Sequence, residues 1–295
     1  MSRNRQIAII TGVALALYIT VRLLPTGTNL NHMDFRVEGK GALEFCDPSN
    51  PQFIPVVQVR SPITLALQGD RDPAQGRPVN FVLTLRTASG KPIAPEDLLV
   101  AHTRKLHLLV VDPTLSDYQH IHPEPGKRPG EWVFAVTPQR GGVYRVFADF
   151  TPAATARGLY GVAEFTVPGG VARVARETNP SFEVADLRFE LDAVQPFRAR
   201  QPLDLRFHVS RRGGAPVVLQ PVMGAFAHLV AFDEGRSGFA HLHPNQVDLT
   251  QPLDPVRPEL TFKVTIPQVG RYVIWSQVKI GDQEIFAPFW VDVAS

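Results

Sequence analysis

The chain has 295 residues, which is enough for two domains of ordinary size, and its apolar content of 44% excludes a disordered protein. Its 30 basic and 28 acidic residues give a net charge of +2 and form no basic stripe, so nucleic acid is not an expected partner. Glycine (22 residues) and proline (27 residues) are abundant, which favours β-structure with many turns over long helices.

The N-terminus carries an apolar run over residues 7–24, preceded by Arg3 and Arg5. A membrane-spanning helix needs about 20 mostly apolar residues, and basic residues before it predict a cytoplasmic N-terminus. No Ala-x-Ala site follows, so a cleaved signal peptide is the less favoured alternative. We therefore predict that residues 1–25 are a single-pass anchor in the cell membrane. The domains that follow are predicted to be periplasmic or extracellular.

Residues 26–54 are polar and rich in Gly, Asn and Pro, which predicts a stalk. They include Cys46, the one cysteine, so a disulfide within the chain is excluded. The neighbouring residues Leu43 and Phe45 favour a small buried apolar role for this side chain. A free thiol, an intermolecular bridge and a metal ligand remain open alternatives.

Short runs rich in Val, Phe and Tyr alternate with turn residues along the rest of the chain. The strands predicted in the first unit are residues 54–59, 63–67, 79–85, 106–111, 118–122, 132–136, 143–150 and 162–167. After a linker at 171–180, those predicted in the second unit are 181–191, 203–209, 226–232, 239–243, 260–266, 272–279 and 285–293. This pattern predicts an all-β fold of two tandem antiparallel Ig-like or cupredoxin-like sandwiches, at residues 55–170 and 181–295, after the N-terminal transmembrane helix.

Six of the nine histidines mark an internal repeat. A shift of 121 residues superposes three histidines, one aspartate and one proline of the first copy on those of the second. The histidines are His107, His120 and His122 in the first copy and His228, His241 and His243 in the second. Any chemistry of these side chains is therefore expected to occur in two related sites.

Each set of three is predicted to lie on one face of a β-hairpin. A six-residue loop at residues 112–117 places His107 opposite His122 and Leu109 opposite His120, and positions two apart share a strand face. Opposed side chains about 5 Å apart can bring imidazole nitrogens to about 2.0–2.1 Å from one ion. The same register is expected in the second copy, and both sets are candidate metal ligands.

Two further candidate ligands are His102 and Met223, which occupy equivalent positions upstream of the two hairpins. Imidazoles suit zinc or copper(II), and an added thioether shifts the preference toward copper(I). Because protons compete for the same nitrogens, metal affinity is expected to fall as pH drops through about 6.5. Asp112 and Asp233 open turns and are expected to hydrogen-bond their own backbone.

Architectural histidines are the alternative interpretation. A His-x-His-Pro segment can end a strand, with a ring nitrogen bonded to a loop carbonyl. The sequence contains no Gly-x-Ser-x-Gly, phosphate-loop, HExxH or CxxC motif, so an enzyme is not expected. A blue-copper site is excluded within either repeat because Cys46 lies outside both.

The segments 106–123 and 223–244 resemble poorly characterised bacterial envelope proteins that have Ig-like domains. These proteins contain H-L-x-V-V-x…F-x-H-x-H-P and M-G-x-x-x-H-L segments and are similar to YtkA-like domains. The resemblance covers most of residues 55–293 and implies an exported location. It also implies that the repeated histidines and Met223 handle copper or other heavy metals. The segment around Cys46 is not part of the matching pattern.

The combined prediction is a membrane-anchored, envelope-exposed protein that binds copper or zinc. It would act as a metal chaperone, buffer or sensor. A third possibility is an assembly factor for a respiratory or copper enzyme, which would require an envelope protein partner. The alternative prediction is a non-enzymatic structural or interaction module of the cell envelope whose histidines are architectural.

Overall fold

The computed structural model describes residues 2–23, 30–35, 52–171 and 177–295. Strands make up 49% of the chain and form four antiparallel sheets in two repeated domains, so the all-β class is confirmed. Short 3-10 turns lie at His32–Phe35, Val56–Gln58, Pro95–Asp97 and Arg212–Gly214. Most of the predicted stalk, Cys46 and residues 172–176 of the predicted linker fall outside the described residues.

The N-terminal helix α1 spans Arg3–Leu23, and its described side chains are exposed. Its first four residues are charged or polar, so its described apolar stretch is shorter than the about 20 residues that a membrane span requires. Within the described ranges, no helix combines the length and the apolar character needed to cross a membrane. The prediction of a transmembrane anchor at residues 1–25, with the single-pass membrane location built on it, is therefore wrong.

The first repeat contains two sheets. Its strands are, in chain order, β1 (Ile63–Gly69), β2 (Val79–Thr87), β3 (Leu98–Leu99), β4 (Leu106–Val111), β5 (Tyr118–Ile121), β6 (Glu124–Pro125), β7 (Glu131–Val136), β8 (Gly142–Pro152) and β9 (Leu159–Val167). One sheet has the order β1-β2-β7-β6, and the other has the order β3-β8-β4-β5 with β9 also paired to β8. The two sheets share a core that includes Phe81 and Leu83 of the first sheet and Tyr144 and Phe150 of the second.

The second repeat has the same plan. Its strands are β10 (Ser181–Val184), β11 (Leu187–Ala193), β12 (Pro202–Arg211), β13 (Leu219–Gln220), β14 (Ala227–Asp233), β15 (Phe239–Leu242), β16 (Glu259–Thr265), β17 (Gly270–Ile280) and β18 (Gln283–Val293). They form the sheets β10-β11-β12-β16 and β13-β17-β14-β15, with β18 also paired to β17. The single strand predicted at 181–191 is a tight hairpin instead, since Ala185 turns the chain with φ of 54°.

A third apolar cluster joins the two repeats. Within β4, Leu108 and Val110 enter the core of their own repeat, whereas Leu109 and Val111 enter this third cluster. The ring of Tyr118 lies 5.5 Å from that of Phe232 and 5.8 Å from that of Trp275, both in the second repeat. The sheets that carry β4 and β14 are therefore covered on both faces, once by their own repeat and once by the other.

The segment before β1 pairs with the second repeat rather than the first. Ile54 and Phe239 exchange two backbone hydrogen bonds of 2.8 and 3.1 Å, and the Val57 amide donates to the Ser237 carbonyl. Val56–Gln58 turns as a 3-10 helix after Pro55, so the strand predicted at 54–59 is not formed. Burial of Ile54 and Val56 in the third cluster makes this segment part of the domain interface.

Equivalent tyrosines of the two repeats have different hydrogen-bond acceptors. The Tyr144 hydroxyl donates to the buried carboxylate of Asp117 at 2.6 Å, whereas Tyr272 donates to the Gln268 carbonyl at 3.1 Å. Hydrogen bonds to charged groups contribute more than neutral ones, so Tyr144→Phe is expected to lower the free energy of unfolding by about 1.5–3 kcal/mol. Tyr272→Phe, the matched control, should lower it by about 0.5–1.5 kcal/mol. Urea unfolding of both variants measures the difference, and equal losses would contradict it.

Candidate metal centre

Both histidine triads lie on the strand faces that meet at the domain interface. Leu109 pairs with His120 in β4–β5, and Val230 pairs with His241 in β14–β15, so the predicted register is confirmed in both hairpins. Because His107 shares a strand face with Leu109, its side chain points away from its own core and toward the other repeat. The two predicted sites are therefore not buried inside separate domains but lie between them.

The first triad consists of His107, His120 and His122, and its three ligand atoms all lie within 4.8 Å of one another. Nδ1 of His107 is 3.3 Å from Nε2 of His120 and 3.1 Å from Nε2 of His122. His107 is buried, and the other two side chains are partly buried.

The second triad consists of His228, His241 and His243, again with ligand atoms within 4.8 Å of one another. Nδ1 of His228 is 3.3 Å from Nε2 of His241, as in the first triad. Nε2 of His243 is buried and has no hydrogen-bond partner within the described part of the chain. This nitrogen is a buried polar atom of the kind that folded proteins rarely leave unsatisfied.

One histidine of each triad is oriented by a turn of its own repeat. Nε2 of His107 lies 3.0 Å from the Ala101 carbonyl oxygen, and Nε2 of His228 lies 3.0 Å from the Val222 carbonyl oxygen. A carbonyl oxygen only accepts, so Nε2 carries the proton and Nδ1 carries the lone pair in both rings. The lone pairs of these two Nδ1 atoms face the other ligand nitrogens.

The central histidine of each triad is oriented by the opposite repeat. Nδ1 of His120 lies 2.9 Å from Oε1 of Gln277, whose amide nitrogen donates to Glu284 at 2.7 Å and so fixes Oε1 as the acceptor. Nδ1 of His241 lies 3.2 Å from Oδ2 of Asp149, which also only accepts. In both central rings Nδ1 therefore carries the proton, and Nε2 presents a lone pair to its triad.

These bonds leave pairs of unprotonated nitrogens facing each other at 3.3 Å in both triads. Two lone pairs at this distance repel, and a third imidazole stands beside each pair. A tetrahedral ion at about 2.0–2.1 Å from two nitrogens holds those nitrogens about 3.3 Å apart. Each triad could therefore hold a metal ion, with outer hydrogen bonds that orient two of its three rings.

The two triads are neighbours. The ring centroids of His120 and His241 are 5.1 Å apart, and those of His107 and His241 are 5.6 Å apart. These separations match the 4.7–5.5 Å found within the triads. Two bound ions would consequently lie close enough to influence each other.

The two additional candidate ligands differ in what surrounds them. His102 stacks on His243 with centroids 3.5 Å apart, so it lies against the second triad across the interface. Met223 occupies the matching left-handed turn position, with φ of 52° against 48° for His102. That His102 and Met223 act as metal ligands stays a prediction.

Asp112 and Asp233 accept backbone hydrogen bonds in their own turns, as expected.

One side of the centre opens into a cavity of about 470 Å³. Its walls include His102, His107, Asp149, His241 and His243. The side chain of Asp149 is 21% exposed and that of His241 is 5% exposed, and both border the cavity. The cavity gives a small ion a route to the ligand nitrogens.

Burial keeps these histidines neutral. It lowers the pKa of His228 to about 4, and burial together with the charges of His107, Arg104 and His228 lowers the pKa of His122 to about 3. Desolvation also lowers the pKa values of His102, His107, His120, His241 and His243. Burial raises the pKa of Asp149. Neutral imidazoles are the protonation state that a metal ion requires.

The six repeated histidines predicted as ligands lie together in two triads, and two side chains that contact them were not predicted from the sequence. Asp149 lies opposite His107 in the β4–β8 register, and Gln277 lies opposite His228 in the β14–β17 register. They occupy equivalent positions in the two repeats, and each bonds a histidine of the other repeat.

The sequence matches the family described as "Domain of unknown function (DUF8832)" twice, over residues 58–168 and 182–295. No curated protein matches the chain. Among solved structures, native alpha-2-macroglobulin of E. coli aligns with 12% identity and a TM-score of 0.24, over 78% of this chain and 17% of that one. Red sea bream transglutaminase aligns with 10% identity and a TM-score of 0.26, over 80% and 32%.

Fibronectin(III)-like modules of Clostridium thermocellum CbhA align with 10% identity and a TM-score of 0.20, over 78% of this chain and 93% of theirs. The chain spans less than a third of the length of the macroglobulin and of the transglutaminase. Similarities at TM-scores of 0.20–0.26 do not indicate a function for this protein.

Proposed function

The chain belongs to the DUF8832 family, whose description names no activity, and we propose from the geometry of its histidines that it is a metal-binding protein. It holds copper or zinc in two three-histidine sites at its domain interface and acts as a metal chaperone, buffer or sensor rather than as an enzyme. As part of the same proposal, each repeat is an Ig-like or cupredoxin-like sandwich.

The observation that carries this proposal is the pair of facing, unprotonated nitrogens in each triad. The Ala101 and Val222 carbonyls and the Gln277 and Asp149 side chains each take the one proton of a neutral imidazole. In the second triad this leaves Nδ1 of His228 and Nε2 of His241 3.3 Å apart with no proton between them. In the first triad the matching pair is also 3.3 Å apart, and Nε2 of His122 stands 3.1 Å from Nδ1 of His107 as a third nitrogen that either donates to it or shares an ion with it. An ion between them relieves the repulsion and supplies a partner to each lone pair.

The alternative function, a structural or interaction module, rests on the same four hydrogen bonds, since they fix histidines to both repeats. Architectural histidines would need partners for both nitrogens. In the first triad His122 can supply one by donating from Nε2 to Nδ1 of His107 at 3.1 Å, whereas in the second triad the outward bonds satisfy only one nitrogen each of His228 and His241.

The test is metal content and affinity. Purified full-length protein is analysed for bound metals, stripped with a chelator, and titrated with copper(I), copper(II) and zinc(II) in competition with chromogenic chelators. We expect binding in the wild type and a loss of affinity of about 100-fold or more at both sites in the double variant His107→Ala/His228→Ala, since each site loses a ligand.

The control is His208→Gln, which changes a buried histidine outside the interface that lies 3.4 Å from Glu259. A second double variant, His107→Gln/His228→Gln, keeps polar side chains of similar size if the alanine variant does not fold. Wild-type protein that is folded and binds none of the three ions would refute the proposal and favour the interaction module.

A further inference from the structure

The two sites are duplicates in their histidines but differ in the residue behind the central ring. In the first site, the neutral amide of Gln277 accepts from His120. In the second site, the carboxylate of Asp149 accepts from His241. Among the described residues, Asp149 is the one carboxylate hydrogen-bonded to the six triad rings. A carboxylate in this position raises the donor strength of the imidazole and adds a negative charge.

The charge available to two bound ions is therefore small. The six triad ligands are neutral imidazoles, and Asp149 is the carboxylate in direct contact with them. Glu284 lies one residue further out, where it accepts from the amide of Gln277 rather than from a ring. The triads meet at His120 and His241, whose centroids are 5.1 Å apart, in an interface from which most water is excluded. Repulsion between two ions scales with the product of their charges, so two divalent ions repel four times as strongly as two monovalent ions at the same separation.

From this charge balance and the asymmetry, we infer that the centre takes two monovalent ions, as copper(I), but only one divalent ion at comparable affinity. The divalent ion is held by His228, His241 and His243, the site backed by Asp149. This inference rests on the proposed function and adds to it the charge of the cargo and the order in which the sites fill.

The space beside the second site also favours it as the site of the divalent ion. A zinc ion bound by three histidines completes a tetrahedron with a fourth ligand, usually water. Two ligands of the second site, His241 and His243, border the cavity of about 470 Å³ together with Asp149, whereas His107 is the one ligand of the first site that does so. The second site thus has both the space for that ligand and the carboxylate that a divalent ion favours.

The first arm of the test compares stoichiometry. Metal-free full-length protein is titrated with zinc(II), and separately with copper(I) under anaerobic reducing conditions, each in competition with a chelator. We expect one tight zinc(II), a second that binds at least about 100-fold more weakly, and two copper(I) ions whose affinities agree within about tenfold. The variants His107→Ala and His228→Ala assign the sites, and only His228→Ala should remove the tight zinc(II).

The second arm tests Asp149. We expect Asp149→Asn to weaken the first zinc(II) by about 10–100-fold and to change the two copper(I) affinities by less than about tenfold. The matched control is Asp192→Asn, which removes a carboxylate 3.9 Å from His208, outside the interface. Thermal unfolding of each metal-free variant confirms that it is folded.

The outcomes separate this inference from the proposed function. Two zinc(II) ions of similar affinity, or a zinc(II) affinity unchanged by Asp149→Asn, would overturn the inference while leaving a metal-binding protein. One copper(I) per chain would also overturn it. Folded wild-type protein that binds neither ion would overturn both proposals.

Discussion

Replacing Gly238 with alanine is expected to lower the free energy of unfolding by about 3–5 kcal/mol and to weaken both metal sites. A Cβ atom at this position would overlap the carbonyl oxygen of Ile54 and stand 2.8 Å from Cα of Pro55. Backbone atoms cannot rotate out of the way as a side-chain tip can. Residues 54–57, which precede the first repeat and pair with the second, would have to move.

Moving that segment removes several interactions at once. Ile54 and Phe239 would lose their two backbone hydrogen bonds, and Val57 would lose its bond to Ser237. Ile54 and Val56 are 6% and 3% exposed, and full burial of each side chain contributes about 1.5–3 kcal/mol. Since ligands of each site are oriented by the opposite repeat, a looser interface also misplaces His120 and His241.

The matched control is Gly235→Ala, in the same loop, where the nearest atom to an added Cβ is the flexible carboxylate of Asp233 at 3.1 Å. Urea unfolding followed by tryptophan fluorescence compares the two variants, since Trp275 and Trp290 lie in the interface cluster. A Gly238→Ala midpoint equal to that of Gly235→Ala would show that residues 54–57 do not stabilise the interface.

The sequence was sufficient to predict each histidine-bearing hairpin, but not that the other repeat packs against it. The spacing between His107 and His122 set the loop length and therefore the register, which the Leu109–His120 pair confirms. The sequence held one signal of the interface, because five of the six residues of β4 are apolar and the strand does not alternate with polar residues. Such a pattern is typical of a strand covered on both faces, whereas a sandwich strand with a solvent face alternates.

The residues behind the central histidines carried no local signal. Asp149 is close to His241 only because two repeats pack face to face, and the sequence separation between them is 92 residues. The repeat itself contained the clue, since Asp149 and Gln277 are register partners of His107 and His228. At this equivalent position the first copy has a carboxylate and the second a neutral amide, a difference that is visible in the sequence once the two copies are aligned.

Metal-free protein is expected to lose stability steeply as pH falls from about 6.5 to about 4. An unfolded histidine binds a proton near pH 6.5, whereas burial lowers the folded pKa of His228 to about 4. Between these values the unfolded state holds more protons than the folded state, so acid favours unfolding. His228 alone contributes about 1.4 kcal/mol per pH unit over this range, and the other buried triad histidines act in the same direction.

Two charged neighbours modify this pH dependence. The pKa of Asp149 is raised by burial, so protonation of this carboxylate opposes the loss at the acid end. The charge of Arg104 helps to lower the pKa of His122 to about 3. The histidines and Asp149 therefore act in opposite directions on stability as the pH falls.

The measurement is urea unfolding of chelator-treated protein at pH 7.5, 6.5, 5.5 and 4.5. The slope of stability against pH should be smaller in His107→Ala/His228→Ala than in the wild type, since both replaced histidines have pKa values that burial lowers in the folded state. Wild-type stability that is flat below pH 6.5 would mean that the triads are not buried as neutral rings.

The same pKa values change what metal titrations should show. Ordinary imidazoles would lose their metal through pH 6.5, because protons then compete for the nitrogens. In the folded protein His228 and His122 take up protons only near pH 4 and 3, so the affinity of the folded state should vary little between pH 7 and about 5. Release on acidification should therefore coincide with unfolding, and circular dichroism and metal release recorded in one titration should have the same midpoint. Metal lost near pH 6.5 from protein that stays folded would contradict this link between the sites and the domain interface.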